Sequence, residues 1–262
     1  MSVELSIILL DNSMRERFHT LDWLSNQTVS RDQYELIWVE CHDRELEVVK
    51  SKVDKFIALH QIVPAFKHKA ENAGIIAASG RIVTMCDADA VYPPEFVESV
   101  IGPFRDQRLV LMHYQERSTA PYPDDATLDE IRKIGFGVWP NVGACLSLLR
   151  RDAIGFGGVD EHESYHGLLC GPNELAWRMI NSGVPEVWND TVHLYHFSHP
   201  GSDGNAQKEI GPKQQHIEWH NLTAVEGFKQ GRLLPLVENS EIHRLRMDQR
   251  IIGTDFEKKF AW

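Results

Sequence analysis

Apolar residues fall in short, nearly continuous runs separated by stretches of helical spacing. Glu4 to Leu10, Tyr34 to Val39 and Arg81 to Val91 read as buried strands, followed by Leu109 to His113, Asn141 to Leu149 and Val187 to Phe197. Between them, helical spacing covers Met14 to Leu24, Arg44 to Phe56, Ala70 to Ser79, Glu95 to Phe104 and Leu128 to Ile134. A further helix opens at Gly171-Pro172-Asn173-Glu174 and runs to Ile180, with its proline near the start. The alternation predicts an α/β fold with a mostly parallel sheet flanked by helices. Near residue 200 the pattern changes to helices alone, Pro212 to Glu226 and Asn239 to Ile252. One domain over 1–200 with a C-terminal helical appendage over 201–262 is therefore expected. Ile217, Trp219, Leu222, Val225 and Phe228 form an apolar stripe there, best read as core packing.

Composition narrows the partners. The 262 residues are 42% apolar, enough for a real core, and carry a formal charge of -11. Such acidity argues against a nucleic-acid surface, which needs basic patches. No apolar stretch is long enough to span a bilayer, so a cytoplasmic protein is expected, with room for peripheral membrane attachment and for a homo-oligomer. Cys41, Cys86, Cys145 and Cys170 lie far apart without a CxxC pair and read as reduced core thiols.

The strand from Arg81 ends in Asp87-Ala88-Asp89. If it continues as strand, alternate side chains share a face and both carboxylates point the same way. They would stand at the carboxyl end of the strand, where open α/β sheets bind ligands. Two hard oxygen donors there suit a divalent cation carrying phosphates; turn chemistry alone is the plainer alternative. Asp11 and Glu40 close the first two strands and are either further ligand contacts or a helix cap and a solvated strand end.

Several blocks in order resemble the family 2 glycosyltransferases with the GT-A fold. They are Lys69-Ala70-Glu71-Asn72-Ala73-Gly74-Ile75 ahead of Asp87-Ala88-Asp89, then Gly157-Gly158-Val159-Asp160-Glu161, Asn173-Glu174-Leu175-Ala176-Trp177-Arg178, and the late histidine strand. The resemblance covers roughly residues 3 to 200. It implies an enzyme that moves a sugar from a nucleotide-diphosphate donor, such as a UDP- or GDP-sugar, to a sugar or glycan acceptor with Mn²⁺ or Mg²⁺. It would place Asp89 on the metal and Asp87 on the ribose or a metal-bound water, with Asp11 and Glu40 beside the nucleoside and Asn72 in the donor site. Glu71 stands where the family often has arginine, and Lys69 is the nearby candidate for a diphosphate or base contact. His196 would complete the metal site, with His193 as runner-up, and strand alternation sets His193 and His199 on the opposite face.

An inverting transferase needs a carboxylate to take the acceptor proton. The family's Glu-Asp pair falls here on Gly171-Pro172, so that base is missing. Glu174 at the helix start is the first candidate and Asp160 or Glu161 the alternative, unless the enzyme is retaining. Trp139, Trp177 and Trp188 offer either an aromatic face to a sugar or core packing. Two other classes fit part of the pattern. One is a haloacid-dehalogenase-like phosphatase, with Asp87 as nucleophile. The other is a nucleotide-sugar binding module without catalysis.

Overall fold

The structure, a computed structural model, describes residues 3–62, 66–162, 165, 172–199, 236–254 and 256. Pro212 to Glu226, its apolar stripe and Cys170 lie outside these residues.

β1 (Leu5–Asp11) is buried along its whole length, and its side chains alternate between two cores. Ile8 and Leu10 pack on one face with α3 (Lys67–Ala77), α6 (Arg150–Gly155) and α7 (Asn173–Asn181). Leu5, Ile7 and Leu9 pack on the other with α1 (His19–Ser25) and α4 (Phe96–Ile101). Burying each such aliphatic side chain contributes about 1.5–3 kcal/mol. That is why a run this uniformly apolar settles in the middle of a two-sided sheet rather than at its rim.

The strand order is β3-β2-β1-β4-β8-β6-β9-β5, with β7 (Gly137–Trp139) paired to β6. One half is parallel: β2 (Tyr34–Glu40) and β4 (Ile82–Asp87) flank β1, and β3 (Lys55–Ala58) extends β2. The other half is mixed. β8 (Cys145–Leu149) runs antiparallel to both β4 and β6 (Val110–Pro121), while β9 (Glu186–Ser198) is parallel to β6. The sheet is thus less parallel than the βα alternation predicts: the chain has already reversed by β7, which is antiparallel to β6, and the 3-10 turn Val142–Ala144 carries β8 on in the same direction.

β5 (Ala90–Val91) is two residues long and decides the geometry of the site. After β4 the chain turns at Ala88 and Asp89, then pairs antiparallel with β9, setting Ala90 opposite His196 and Val91 opposite Tyr195. The tip between the halves of the sheet therefore brings residues about a hundred apart into register.

Two element boundaries differ from the sequence reading for visible reasons. The helix expected over Arg44 to Phe56 is a single turn, α2 (Glu47–Lys50), followed by β3. Asp54 stops it by accepting the Leu36 amide at 2.7 Å, which tacks the chain to β2 before Phe56 and Ile57 pair with it. The excursion expected from Glu116 is instead strand as far as Pro121, since β7 and β9 satisfy its backbone on both sides. Its helical part is α5 (Leu128–Lys133), closed by a capping box between Thr127 and Glu130. The C-terminal stretch forms two short helices, Ser240–Arg246 and Gln249–Ile252, whose Ile242, Leu245 and Ile252 join the core of Ile8 and Leu10. Among the described residues no helix is long and apolar enough to cross a membrane.

Gly74 lets α3 lie against β1: a Cβ there would come within 2.3 Å of Ile8 Cγ2. On an open helix face Gly→Ala gains about 1 kcal/mol in propensity. Here Gly74→Ala should reverse sign and destabilise by about 1–3 kcal/mol through overpacking, read as the urea midpoint. An unchanged or raised midpoint would show that α3 is free to shift outward.

Candidate active site at the carboxyl edge of the sheet

The parallel strands end together. Asp11 is opposite Glu40, and Leu10 is opposite Asp87, so three acids line one edge. Each is used differently. Asp11 is buried; its Oδ1 accepts the amides of Met14 and Arg15, and its Oδ2 takes Arg44 Nη2 at 2.5 Å. This folds the loop after β1. Glu40 Oε1 accepts the Ser13 hydroxyl at 2.7 Å and the His42 amide at 2.9 Å, tying the same loop to the end of β2.

Asp87 and Asp89 do not share a strand face, because the strand stops at Asp87 and turns. The Tyr92 hydroxyl donates to the Asp87 carbonyl at 2.7 Å and closes that turn. The Asp87 carboxylate faces Lys67 Nζ at 3.3 Å. Asp89, 5% exposed, receives the Arg15 fork on Oδ2 at 3.1 and 2.7 Å. His199 Nε2 lies 3.0 Å from that same oxygen, and His196 Nε2 lies 3.7 Å from Oδ1. Asp89, His196 and His199 form the group that could hold a metal ion among the described residues, their ligand atoms all within 4.8 Å of one another. Burial alone would raise the Asp89 carboxyl; Arg15 and the two imidazoles outweigh it and hold it well below the usual carboxylate range.

His199 stands beside His196, not on the opposite face, because β9 ends at Ser198 and strand alternation no longer applies. His193 does face away, with Nδ1 2.7 Å from Glu116 Oε1.

Two cavities meet at this point. A polar cleft of about 260 Å³ is lined by Asp11, Asn12, Arg15, Lys67, Asp87 and Asn173, among others. A second cavity of about 230 Å³, with a more apolar wall, includes Arg15, His19, Asp89, Tyr122, Phe197 and His199. His19 stacks on Tyr122 with ring centroids 3.9 Å apart, and burial lowers its pKa to about 4, so the ring is neutral near pH 7.

The remaining predicted residues sit outside the cleft wall. Lys69 is exposed over the Phe66 ring; Lys67, two residues earlier, is the lysine that reaches the cleft. Burial works against the Lys67 charge, but Asp87 and Glu71 outweigh it and raise its pKa above the ordinary value. Asn72 is fully buried. It accepts the Val159 amide and donates to the Val159 carbonyl, both at 2.8 Å, and also donates to Glu161 Oε1. Gly158 is required there: it has φ +70° and a Cβ would meet Asn72 Oδ1 at 2.5 Å.

Glu174, 1% exposed, accepts Arg178 Nε at 2.8 Å on Oε2, and Arg178 Nη2 and the Asp160 amide on Oε1. Arg178 also donates to the carbonyls of Phe156 and Gly158, so this buried pair fastens the glycine loop to α7. Asp160 Oδ1 accepts the His162 and Val237 amides at 2.9 Å. Burial, then the Glu174 charge, raises the Asp160 pKa. Of the tryptophans, Trp139 is exposed on β7, Trp188 packs on Tyr114 at 4.9 Å between centroids, and Trp177 is half-buried on α7.

Arg15, Lys67, His199 and His19 carry the site yet did not emerge from sequence patterning. A basic residue four positions after the first strand-end acid is the one signal that could have found Arg15. Nothing local distinguishes Lys67 from Lys69.

A mixed sheet with charged side chains gathered at its carboxyl edge is consistent with a GT-A fold, and comparison with known proteins gives the class. Residues 20–154 match the model of glycosyl transferase family 2, and the chain belongs to that family. It is a glycosyltransferase, which sets the phosphatase alternative aside. No curated protein matches the chain significantly. Solved structures with the same fold include Staphylococcus aureus TarS 1-349 in complex with UDP, at TM-score 0.59, 12% identity and coverage of 99% of this chain and 72% of that one. GalNAc-T7 with UDP, GalNAc and Mn²⁺ aligns at TM-score 0.62 and 12% identity over 99% of this chain and 57% of that one. The mannosyltransferase PcManGT from Pyrobaculum calidifontis, with GDP-Man and Mn²⁺, aligns at 0.57 and 13% identity over 100% of this chain and 73% of that one.

Glu71 is fully buried, and neither carboxylate oxygen has a hydrogen-bond partner among the described residues. Burial raises its pKa to about 8, opposed by Lys67 and reinforced by Glu174 and Asp87. The folded state thus holds this proton more tightly than the unfolded chain. The associated stability is complete below pH about 4.5 and is lost as pH rises toward about 8. Urea denaturation should show the wild type losing on the order of 2–4 kcal/mol across that window, and Glu71→Gln losing much less. Equal pH slopes for the two proteins would rule out a protonated Glu71.

Proposed function

We propose that the protein transfers a sugar from a nucleoside-diphosphate donor to an acceptor hydroxyl with a divalent metal ion, most effectively Mn²⁺. The observation that carries the reading is the Asp89–His196–His199 cluster, whose Asp89 and His199 line the second cavity where Arg15 joins it to the polar cleft. Asp89 Oδ1 is buried without a hydrogen-bond donor among the described residues, as suits an oxygen kept for a cation. One carboxylate with two imidazoles favours Mn²⁺ over Mg²⁺, which prefers an all-oxygen shell. When bound, the ion would neutralise the charge that builds on the departing diphosphate.

The chain's own groups supply the rest. Lys67, kept charged by Asp87, is the cation for the diphosphate within the cleft, the role expected of Lys69. Asp11 and Glu40 act by shaping the β1 loop around the nucleoside, and Asn72 by holding the glycine loop; Asp87 is the ribose contact. UDP and GDP are the nucleotides to try first, since the structural relatives hold them. A sugar or glycan is the acceptor class, and the cytoplasm, where Cys41, Cys86 and Cys145 stay reduced, is the setting.

For the base, the geometry favours Asp160 over Glu174. Both Glu174 oxygens are engaged by Arg178 and the Asp160 amide, whereas Asp160 has a raised pKa suited to taking a proton. With Asp160 taking its proton, the acceptor oxygen bonds to the anomeric carbon on the face opposite the diphosphate as the carbon–oxygen bond to the diphosphate breaks, which inverts that centre.

Calorimetry with UDP- and GDP-sugars should show donor binding that strengthens with Mn²⁺ more than with Mg²⁺. Asp89→Asn and His196→Ala should each lose the metal dependence. Donor binding with neither transfer nor donor hydrolysis would instead favour the non-catalytic binding module that Gly171-Pro172 allows. Asp160→Asn should lower kcat by about 10²–10⁴ with donor affinity intact. Glu174→Gln should act chiefly on stability, costing about 3–5 kcal/mol by stranding the buried Arg178 charge. A stable Glu174→Gln protein without turnover would return the base to Glu174.

A further inference from the structure

The metal ligand Asp89 already has a counter-ion. Arg15 places Nε and Nη2 on the same oxygen, Oδ2, and leaves Oδ1 turned toward His196. Burial opposes the Arg15 charge, but Asp89, Asp11 and Asp87 outweigh it and hold its pKa above the ordinary value, so it carries full charge at any pH of interest. A divalent ion on Asp89, His196 and His199 would sit within a few ångströms of that guanidinium, and two cations at that distance repel strongly.

The charges around the cleft are nearly matched before any ligand enters. Asp11, Glu40, Asp87 and Asp89 face Arg15, Arg44 and Lys67, an excess of one negative charge. A metal ion arriving alone adds uncompensated positive charge, whereas one accompanied by a nucleoside diphosphate adds almost none. Arg15 also has somewhere to go. It lines both cavities, and Nη1 is already 2.9 Å from Asn12 Oδ1 and 3.6 Å from Asp11 Oδ1, on the side of the polar cleft. Its backbone is pinned by Asp11 Oδ1 at the amide and by Arg44 Nη1 at the carbonyl, 2.7 Å away. Only the side chain has to move.

We propose that Arg15 is an exchangeable counter-ion: it covers Asp89 in the free enzyme and moves onto the donor diphosphate when metal and nucleotide enter together. This rests on the metal reading proposed above. Arg15 thereby makes the two ligands depend on each other, because each removes the penalty the other would meet alone. It is a positioning residue for the metal and a binding residue for the diphosphate.

The test is Mn²⁺ titration of the full chain by calorimetry and by the electron paramagnetic resonance of free Mn²⁺, with and without UDP or GDP. Wild type should bind Mn²⁺ alone weakly and about tenfold or more tighter with its nucleotide. Arg15→Gln should bind Mn²⁺ alone about tenfold tighter than wild type and the nucleotide about tenfold weaker, collapsing the coupling. Arg15→Lys keeps the charge, and so the loop, but loses the fork, and should fall between the two; it decides the question if melting shows Arg15→Gln unfolded. Variants that bind Mn²⁺ alone no tighter than wild type would overturn the exchange while leaving the metal site standing. A wild type that takes up no Mn²⁺ with either nucleotide would overturn the metal reading itself, and the exchange with it.

Discussion

A buried carboxylate at the seam of the sheet governs this structure. Asp89 is one residue before a two-residue strand that closes the gap between β4 and β9, so its backbone has no freedom to retreat toward water. A charge held there is tolerable only when opposite charges and donors surround it. That requirement draws in Arg15 from the loop after β1, and His196 and His199 from the end of β9. Three segments distant in sequence are thereby brought to one point, and the two cavities meet there.

The scaffold around that point was largely visible in the pattern of apolar residues, because strands buried on both faces leave nearly unbroken runs. Leu5 to Leu10 and Ile82 to Cys86 are such runs. What failed was anything settled by pairing instead of by local spacing. Lys55 and Phe56 fall in a stretch that reads as helix and become strand only because β2 has an open edge. The direction of β8 follows the reversal already made by β7, which the apolar pattern does not reveal.

Site residues divide in the same way. Asp87, Asp89 and His196 stood out because acids at the end of an apolar strand and a histidine in a late strand are chemically conspicuous. Asn72 and Glu174 were equally conspicuous, yet their side chains are consumed in holding the glycine loop. Hydrogen-bond partners separate the two groups, and those partners depend on the assembled fold. Arg15 was silent for the opposite reason: an arginine in a polar loop looks like surface until Asp89 is placed beside it.

The Asn72 and Glu174 anchors give the enzyme two foundations. The acids Asp11, Asp87 and Asp89 stand at the sheet edge, while the loop carrying Asp160 is tied through Asn72 and Arg178 to helices α3 and α7. Residues 20–154, where the family pattern is recognised, stop just short of that loop. The protein is built as a chassis with a separately bolted part, so the glycine loop can be altered, by breeding variants or by design, without disturbing the acids at the sheet edge.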